Sequence, residues 1–169
     1  MEYNIFEEQQ RFTQWWLWLL LLGIGALPII GIYQQLILGK TFGNKPMSDT
    51  GLIIFAIFTF LLLGLFYFMR LETKIDRQHI YFKFYPFLEK KIAWEEVKSA
   101  EMVDYGFVGY GIRIGTKYGT VYNTKGSKGL AIRTRAGKKL CLGTQKTEVL
   151  AKWLAEQGID LTQLRDAEE

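Results

Sequence analysis

The chain has 169 residues, 49% of them hydrophobic, and a formal net charge of +4, which leaves room for one or two small units. One cysteine excludes an intramolecular disulfide framework, and one histidine excludes most metal sites and any chemistry that needs several imidazoles. The charges are unevenly divided: residues 1–69 carry three of the 21 Lys/Arg and four of the 17 Asp/Glu, so this part is typical of a lipid-facing segment.

The chain begins with a short amphipathic segment. Apolar and amide side chains at roughly helical spacing predict a short helix over residues 3–12 that lies in the membrane interface: Tyr3, Ile5, Phe6, Gln9 and Phe12. The segment is net acidic, and the apolar run after it is longer than a signal peptide has. We therefore expect an uncleaved membrane anchor rather than a cleavable signal.

Two uncharged runs follow, and each is long enough to cross a bilayer. No residue is charged from Phe12 to Gly39 or from Thr50 to Met69, and about 20 apolar residues suffice to cross the hydrocarbon layer. We predict spans at about 13–38 and 50–69, joined into an antiparallel hairpin by a turn-rich connector. A pair of buried helices in a soluble protein would need a polar stripe, and residues 17–32 have none.

The basic residues near the ends of the spans predict the orientation. Six lie outside the hairpin, against two in the connector, so the positive-inside rule places both termini in the cytoplasm of a protein of the cell membrane. Neither span contains an ionisable side chain, which disfavours a channel or pump built from these helices alone.

After Arg70 the pattern changes to two-residue alternation, which predicts strands. We expect seven, near 71–76, 80–84, 89–93, 98–104, 111–116, 129–134 and 138–142, as an antiparallel β-sandwich or small barrel. A C-terminal helix through residues 148–157 should plug its open end, with Gly158 as the stop and these side chains on one stripe: Val149, Leu150, Trp153 and Leu154. The fold class is thus α+β, with a cytoplasmic domain over 70–158 and a polar tail over 159–169.

Several short motifs resemble one subgroup of bacterial two-span membrane proteins with a pleckstrin-homology-like domain. They are Leu71-Glu72-Thr73, Tyr85-Pro86-Phe87, Ile92-Ala93-Trp94-Glu95-Glu96-Val97, Gly111-Ile112-Arg113, Tyr122-Asn123, Gly126-Ser127-Lys128-Gly129-Leu130 and Gly143-Thr144-Gln145-Lys146. The sequence departs from that subgroup at residues 104–110 and at Thr147, where a proline is expected. The resemblance implies a pleckstrin-homology-like fold and supplies no activity.

The residues that could carry catalysis have ordinary structural interpretations. Four carboxylates could pair as acid and base: Glu95, Glu96, Glu101 and Asp104. They are more typical of the solvent-exposed face of a strand and the turn that leads into it. His79 lies in a predicted turn. Cys141 is interpreted as a small strand residue, although two lysines adjoin it. We predict no catalytic, cofactor-binding or metal-binding residue, and therefore no enzyme.

The positive signal is a concentration of basic residues. No Asp or Glu occurs from Gly106 to Thr147, and the basic residues crowd positions 117–146. Near an anionic leaflet each such charge contributes about 1 kcal/mol. The predicted contact surface for lipid headgroups or an acidic protein comprises Lys117, Tyr118, Tyr122, Lys125, Lys128, Arg133, Arg135 and Lys139. The membrane tether and the scarcity of basic residues near surface aromatics argue against nucleic acid.

The sequence thus favours an integral membrane protein whose cytoplasmic pleckstrin-homology-like domain is a non-catalytic binding module for protein or anionic lipid. The alternative is a structural role, in which spans and domains assemble into a homo-oligomeric scaffold. An enzyme of unknown type is a third possibility. The oligomeric state of the full-length protein separates the first two.

Overall fold

Two apolar helices form one of the two units of the fold. A computed structural model describes residues 5–159, and contacts divide them into a unit of residues 13–68 and a unit that includes residues 5–12 and 69–159. Helix α1 spans Trp15–Ile32 and is continued by a π-helical turn over Tyr33–Ile37. Helix α2 spans Asp49–Phe68.

The two helices run antiparallel to each other. The rings of Trp18, early in α1, and Tyr67, late in α2, contact edge to face with centroids 6.4 Å apart. At the opposite end the Gln35 side-chain amide donates to Asp49 Oδ1 at 2.6 Å. By length and composition both helices could cross a membrane, at the positions that the sequence predicts. Large apolar side chains on both are exposed, among them Leu19 and Leu61.

Strands build most of the second unit. Those in the described part of the chain are β1 Phe6–Arg11, β2 Arg70–Ile75, β3 His79–Tyr85, β4 Leu88–Ala93, β5 Val97–Asp104, β6 Gly111–Thr116, β7 Gly119–Asn123, β8 Lys128–Thr134 and β9 Lys139–Gly143. A 3₁₀ turn, Trp94–Glu96, separates β4 from β5. The seven predicted strands are present within two residues of their expected bounds, and β1 and β7 are additional.

The strands form two sheets. The four-stranded sheet has the order β1-β2-β3-β4 with antiparallel neighbours, and the five-stranded sheet has the order β5-β8-β9-β7-β6. In the five-stranded sheet β7 and β9 are parallel. The expectation of a purely antiparallel arrangement is therefore wrong at this pair, because β7, which the sequence analysis missed, enters the sheet between β9 and β6.

The predicted interfacial helix over residues 3–12 is wrong for residues 6–11, which form β1 and pair with β2. Every second residue of β1 is buried, but two of them, Glu8 and Gln10, are polar. Their hydrogen bonds to residues 143–145 replace the apolar contacts that a buried strand face normally makes. Buried polar residues hide the two-residue alternation on which strand prediction depends.

Strand β7 gave no alternating pattern for a different physical reason. Val121 and Tyr122 point to opposite faces of the five-stranded sheet, and both are buried. Tyr122 contacts Phe82 of the four-stranded sheet, with ring centroids 4.9 Å apart, and Val121 belongs to a cluster on the other face. A short strand covered on both faces carries no polar side to mark it.

Helix α3 spans Thr147–Glu156 and buries Leu150, Trp153 and Leu154. Gly158 follows with a φ of +72°, which is the left-handed residue expected at a helix end. Val149 is 58% exposed, so its predicted place on the apolar stripe is wrong. The apolar stripe of this ten-residue helix consists of Leu150, Trp153 and Leu154, and Val149 lies beside that stripe. Apart from Ile159, the predicted tail at 159–169 lies outside the described residues.

Candidate functional site

Four of the eight predicted contact residues meet in one shallow surface groove of the five-stranded sheet. The groove has a volume of about 270 Å³. The four predicted residues in its lining are Lys117, Tyr118, Arg133 and Lys139, and the others are Ser99, Glu101, Ala131 and Ile132. We call this groove, with its three cationic side chains, the basic groove. It draws its residues from the β6–β7 turn and from strands β5, β8 and β9.

Strand register brings these residues together although they are far apart in the chain. Arg133 lies opposite Ser99 on one side and opposite Lys139 on the other, so one row crosses β5, β8 and β9. The next row places Glu101 opposite Ala131, and Ala131 opposite Cys141. Alternate residues of a strand share a face, so both rows belong to the same side of the sheet.

The β6–β7 turn reaches this row because residue 119 is a glycine. Gly119 has a φ of +78°, and a Cβ built on it would lie 2.1 Å from the backbone oxygen of Lys139. Any other side chain would push the turn away from the start of β9. The close approach places Lys117 and Tyr118 beside Lys139, and the Thr116 hydroxyl closes the turn by donating to Gly119 O at 2.8 Å.

An apolar cluster supports one side of the basic groove. Tyr105, Val121, Ala131 and Cys141 are buried together, and Tyr118 packs against them. Burial raises the pKa of the Cys141 thiol to about 12 and that of the Tyr105 hydroxyl to about 12 as well. Both groups are therefore neutral near neutral pH and act as packing residues.

The electrostatics of the groove favour an anionic ligand. Three cationic side chains face one carboxylate, Glu101, which leaves an excess of two positive charges in the lining. Lys117 Nζ lies 5.0 Å from the centroid of the Tyr118 ring, within the range of a cation–π interaction. Two ammonium groups and one guanidinium line this open groove, and such groups bind phosphate or carboxylate.

The other four predicted residues lie elsewhere. Tyr122 is 3% exposed and contacts Phe82, so it belongs to the core and not to a contact surface. Lys128 begins β8, about 17 Å along the strand from Arg133, and Lys125 precedes that strand. Arg135 lines a second groove with Lys90, Lys91, Ile92, Glu95, Glu96, Thr134, Ala136, Lys138 and Leu140. The predicted surface is thus divided, and clustering in sequence did not mean clustering in space.

Sequence reasoning missed Ser99 as a lining residue and interpreted Glu101 only as part of a wet strand face. Both depend on which strand pairs with β5, and that strand, β8, is more than twenty residues further along the chain. The only available signal was the alternation within β5 itself, which places Ser99 and Glu101 on one face.

The remaining acidic candidates do not converge. Glu95 and Glu96 line the second groove, Glu101 lines the basic groove, and Asp104 lies at the end of β5. The Gly106 backbone N–H, with the Ser127 hydroxyl and Lys128, lowers the pKa of Asp104. His79 begins β3, and its backbone N–H donates to Asp76 Oδ1 at 2.6 Å. Within residues 5–159 no group of three or more His, Cys, Asp or Glu side chains could hold a metal ion.

Comparison with known proteins assigns no family. No protein-family model matches the chain, and no curated protein matches it.

Proposed function

We propose that this chain is an integral membrane protein, anchored by α1 and α2, whose sheet-rich unit is a pleckstrin-homology-like binding module without catalysis of its own. The ligand surface is the basic groove, and the ligand presents clustered negative charge. The observation that carries the proposal is the convergence of Lys117, Arg133 and Lys139 around Tyr118 from three separate segments.

The pairing of β1 with β2 supports a membrane hairpin with both ends on the same side. These strands flank the two apolar helices in the chain, and six consecutive residue pairs join them, from Phe6 with Ile75 to Arg11 with Arg70. Two strands on opposite sides of a bilayer cannot pair with each other, so the two ends of the hairpin share one compartment in this proposal. The excess of basic residues outside the hairpin favours the cytoplasm.

Two sheets followed by a C-terminal helix support the pleckstrin-homology-like assignment. Strands β2, β3 and β4 form an antiparallel meander to which β1 adds a fourth strand, and α3 buries three apolar side chains. In this proposal, the nine strands formed by residues 5–159, instead of seven, and the parallel pair β7–β9 are elaborations of that layout.

The experiment compares two variants with the same loss of charge. The groove variant is Lys117→Gln/Arg133→Gln/Lys139→Gln. The control variant is Lys125→Gln/Lys128→Gln/Arg135→Gln, which removes three positive charges outside the basic groove. In each full-length chain Tyr118 is replaced by a photo-crosslinking phenylalanine analogue, and crosslinked protein and lipid are identified by mass spectrometry from native membranes.

We expect crosslinks to an acidic protein or to anionic lipid in the unaltered chain and in the control variant. The groove variant should lose most of that yield, because three charge-assisted contacts contribute several kcal/mol together. Equal loss in both variants would show that only overall charge matters and would refute the groove. Crosslinks only to a second copy of the chain would instead support the scaffold role.

A further inference from the structure

Aromatic and arginine side chains lie together where three strands of the four-stranded sheet begin or end. Arg11 is the last residue of β1, Arg70 is the first of β2, and Tyr85 is the last of β3; the three are aligned in register. Phe87 follows in the turn that leads to β4. We call Arg11, Arg70, Tyr85 and Phe87 the proximal edge.

The two aromatic side chains of this edge are exposed, and the Arg70 side chain is partly buried between its neighbours. Phe87 is 54% exposed and Tyr85 is 37% exposed, and the turn is closed by the Phe87 N–H, which donates to Phe84 O at 2.8 Å. Arg70 Cζ lies 4.9 Å from the Tyr85 ring centroid, and Arg70 Nε donates to Glu72 Oε1 at 2.5 Å. Aromatic rings are thus presented to solvent with a guanidinium stacked on one of them.

In the chain, Arg11 and Arg70 are separated from the apolar helices by only a few residues. Arg70 is two residues after the end of α2, and two residues extend over at most about 7 Å. Arg11 is four residues before the start of α1, a reach of at most about 14 Å. The limit for Arg70 is comparable to the thickness of a headgroup layer, about 5–8 Å per leaflet, and the limit for Arg11 is about twice that.

We propose that the proximal edge is a lipid contact site, in which Tyr85 and Phe87 enter the interfacial layer and Arg11 and Arg70 bind lipid phosphates. Tyrosine rings settle at the headgroup level, and arginine forms planar, charge-assisted hydrogen bonds with phosphate. The inference rests on the membrane anchoring in the proposed function and is independent of the basic groove. Such a contact would hold the sheet-rich unit against the bilayer by more than its two covalent connections to the apolar helices.

The test places an environment-sensitive bimane label on the full-length chain in nanodiscs that contain phosphatidylglycerol. Single cysteines are introduced in a Cys141→Ala background by Phe87→Cys, Gln78→Cys or Ile54→Cys. Gln78 is exposed in the turn at the other end of β2 and β3, about 20 Å along the strands from Phe87. Ile54 is an exposed side chain of α2. Quenching by nitroxide-labelled lipid is compared with quenching by aqueous iodide.

We expect the label at position 87 to be quenched several-fold more by nitroxide lipid than the label at position 78, and less by iodide. Adding Arg11→Gln/Arg70→Gln should reduce the lipid quenching at position 87. Iodide quenching at position 87 equal to that at position 78, with lipid quenching retained at position 54, would overturn the lipid contact while leaving the anchor intact. Loss of lipid quenching at position 54 would overturn both, because the anchor itself would then be wrong.

Discussion

Cys141 shows how the environment of one residue decides its chemistry. Two lysines precede it closely in sequence, Lys138 and Lys139, and positive charge next to a thiol would favour a thiolate. In the structure the thiol is fully buried beside Val121 and Ala131, and burial raises its pKa to about 12. The alternation within β9 could not predict that Tyr105 and Tyr118 cover this thiol, because both residues come from other parts of the chain.

The raised pKa predicts a specific loss of stability at alkaline pH. Below the ordinary thiol pKa of 9.0 the folded and unfolded states both hold the proton, so the group has no pH effect. Above it the unfolded state releases the proton first, and the free energy of unfolding falls until the folded pKa is reached. Comparing chemical denaturation of full-length protein in detergent at about pH 8 and about pH 10.5 should show a smaller decrease for Cys141→Ala than for the unaltered chain.

The comparison between the two chains isolates this thiol, because lysine and tyrosine titration is common to both. If the decrease in stability were the same with and without Cys141, the buried thiol would not be its source.

Strand β1 is the element whose structure differs most from the sequence prediction, which was a helix. Its inward side chains Glu8 and Gln10 reach the last residue of β9 and the two residues after it. Glu8 Oε2 accepts from the Thr144 hydroxyl at 2.5 Å, and Glu8 Oε1 accepts from the Gln145 N–H at 2.9 Å. The Gln10 amide donates to Gly143 O at 2.7 Å. The strand that precedes the first apolar helix is therefore fastened to the end of the five-stranded sheet.

Replacing Glu8 by alanine should loosen this strand. Thr144 and the Gln145 N–H would lose their acceptor, and an unsatisfied buried polar group costs about 1–3 kcal/mol. Hydrogen–deuterium exchange of full-length protein in detergent should then show that the backbone amides of residues 6–11 exchange about tenfold faster or more.

The matched control is Glu7→Ala on the outward face of the same strand. Glu7 Oε1 pairs with Lys74 Nζ at 2.9 Å, but both side chains are more than half exposed. Exposed ion pairs contribute little, so exchange in β1 should change far less. Equal protection of residues 6–11 in both variants would show that the Glu8 contacts do not hold the strand.

At the scale of the whole chain, the apolar hairpin interrupts the sheet-rich unit in sequence. Residues 5–12 and 69–159 form one unit, and residues 13–68 are inserted between β1 and β2. In the chain, the apolar helices are therefore preceded and followed by two strands that hydrogen-bond to each other. In the proposed function, strands that pair on one side of the membrane require an even number of crossings between them, and the chain has two candidate spans there.

This arrangement predicts which residues face each side of the membrane. In a Cys141→Ala background, a cysteine replacing Lys45 in the connector should react with a membrane-impermeant maleimide added to intact cells or spheroplasts. A cysteine replacing Gln78 in the β2–β3 turn should react only after the membrane is opened, because it shares a side with β1 and β2. The reverse pattern would contradict the predicted orientation, and labelling of both in intact cells would contradict the hairpin.

Much of the architecture follows from the sequence because its causes are local. Uncharged runs long enough to cross hydrocarbon predict α1 and α2, and alternation within seven segments predicts the strands in them, since both patterns require only neighbouring residues. The stop of α3 at Gly158 is similarly local. The basic character of residues 117–146 is also readable directly, because it is composition alone.

Tertiary structure decided what depends on distant pairing. Only the hydrogen bonds of Glu8 and Gln10 to residues 143–145 explain why a polar segment is a buried strand. Only strand register and the close approach at Gly119 bring Lys117, Arg133 and Lys139 into one groove, and send Lys125, Lys128 and Arg135 elsewhere. The physical reason is that a strand specifies which residues share a face, whereas the partner strand and its register are set by the packing of the whole sheet.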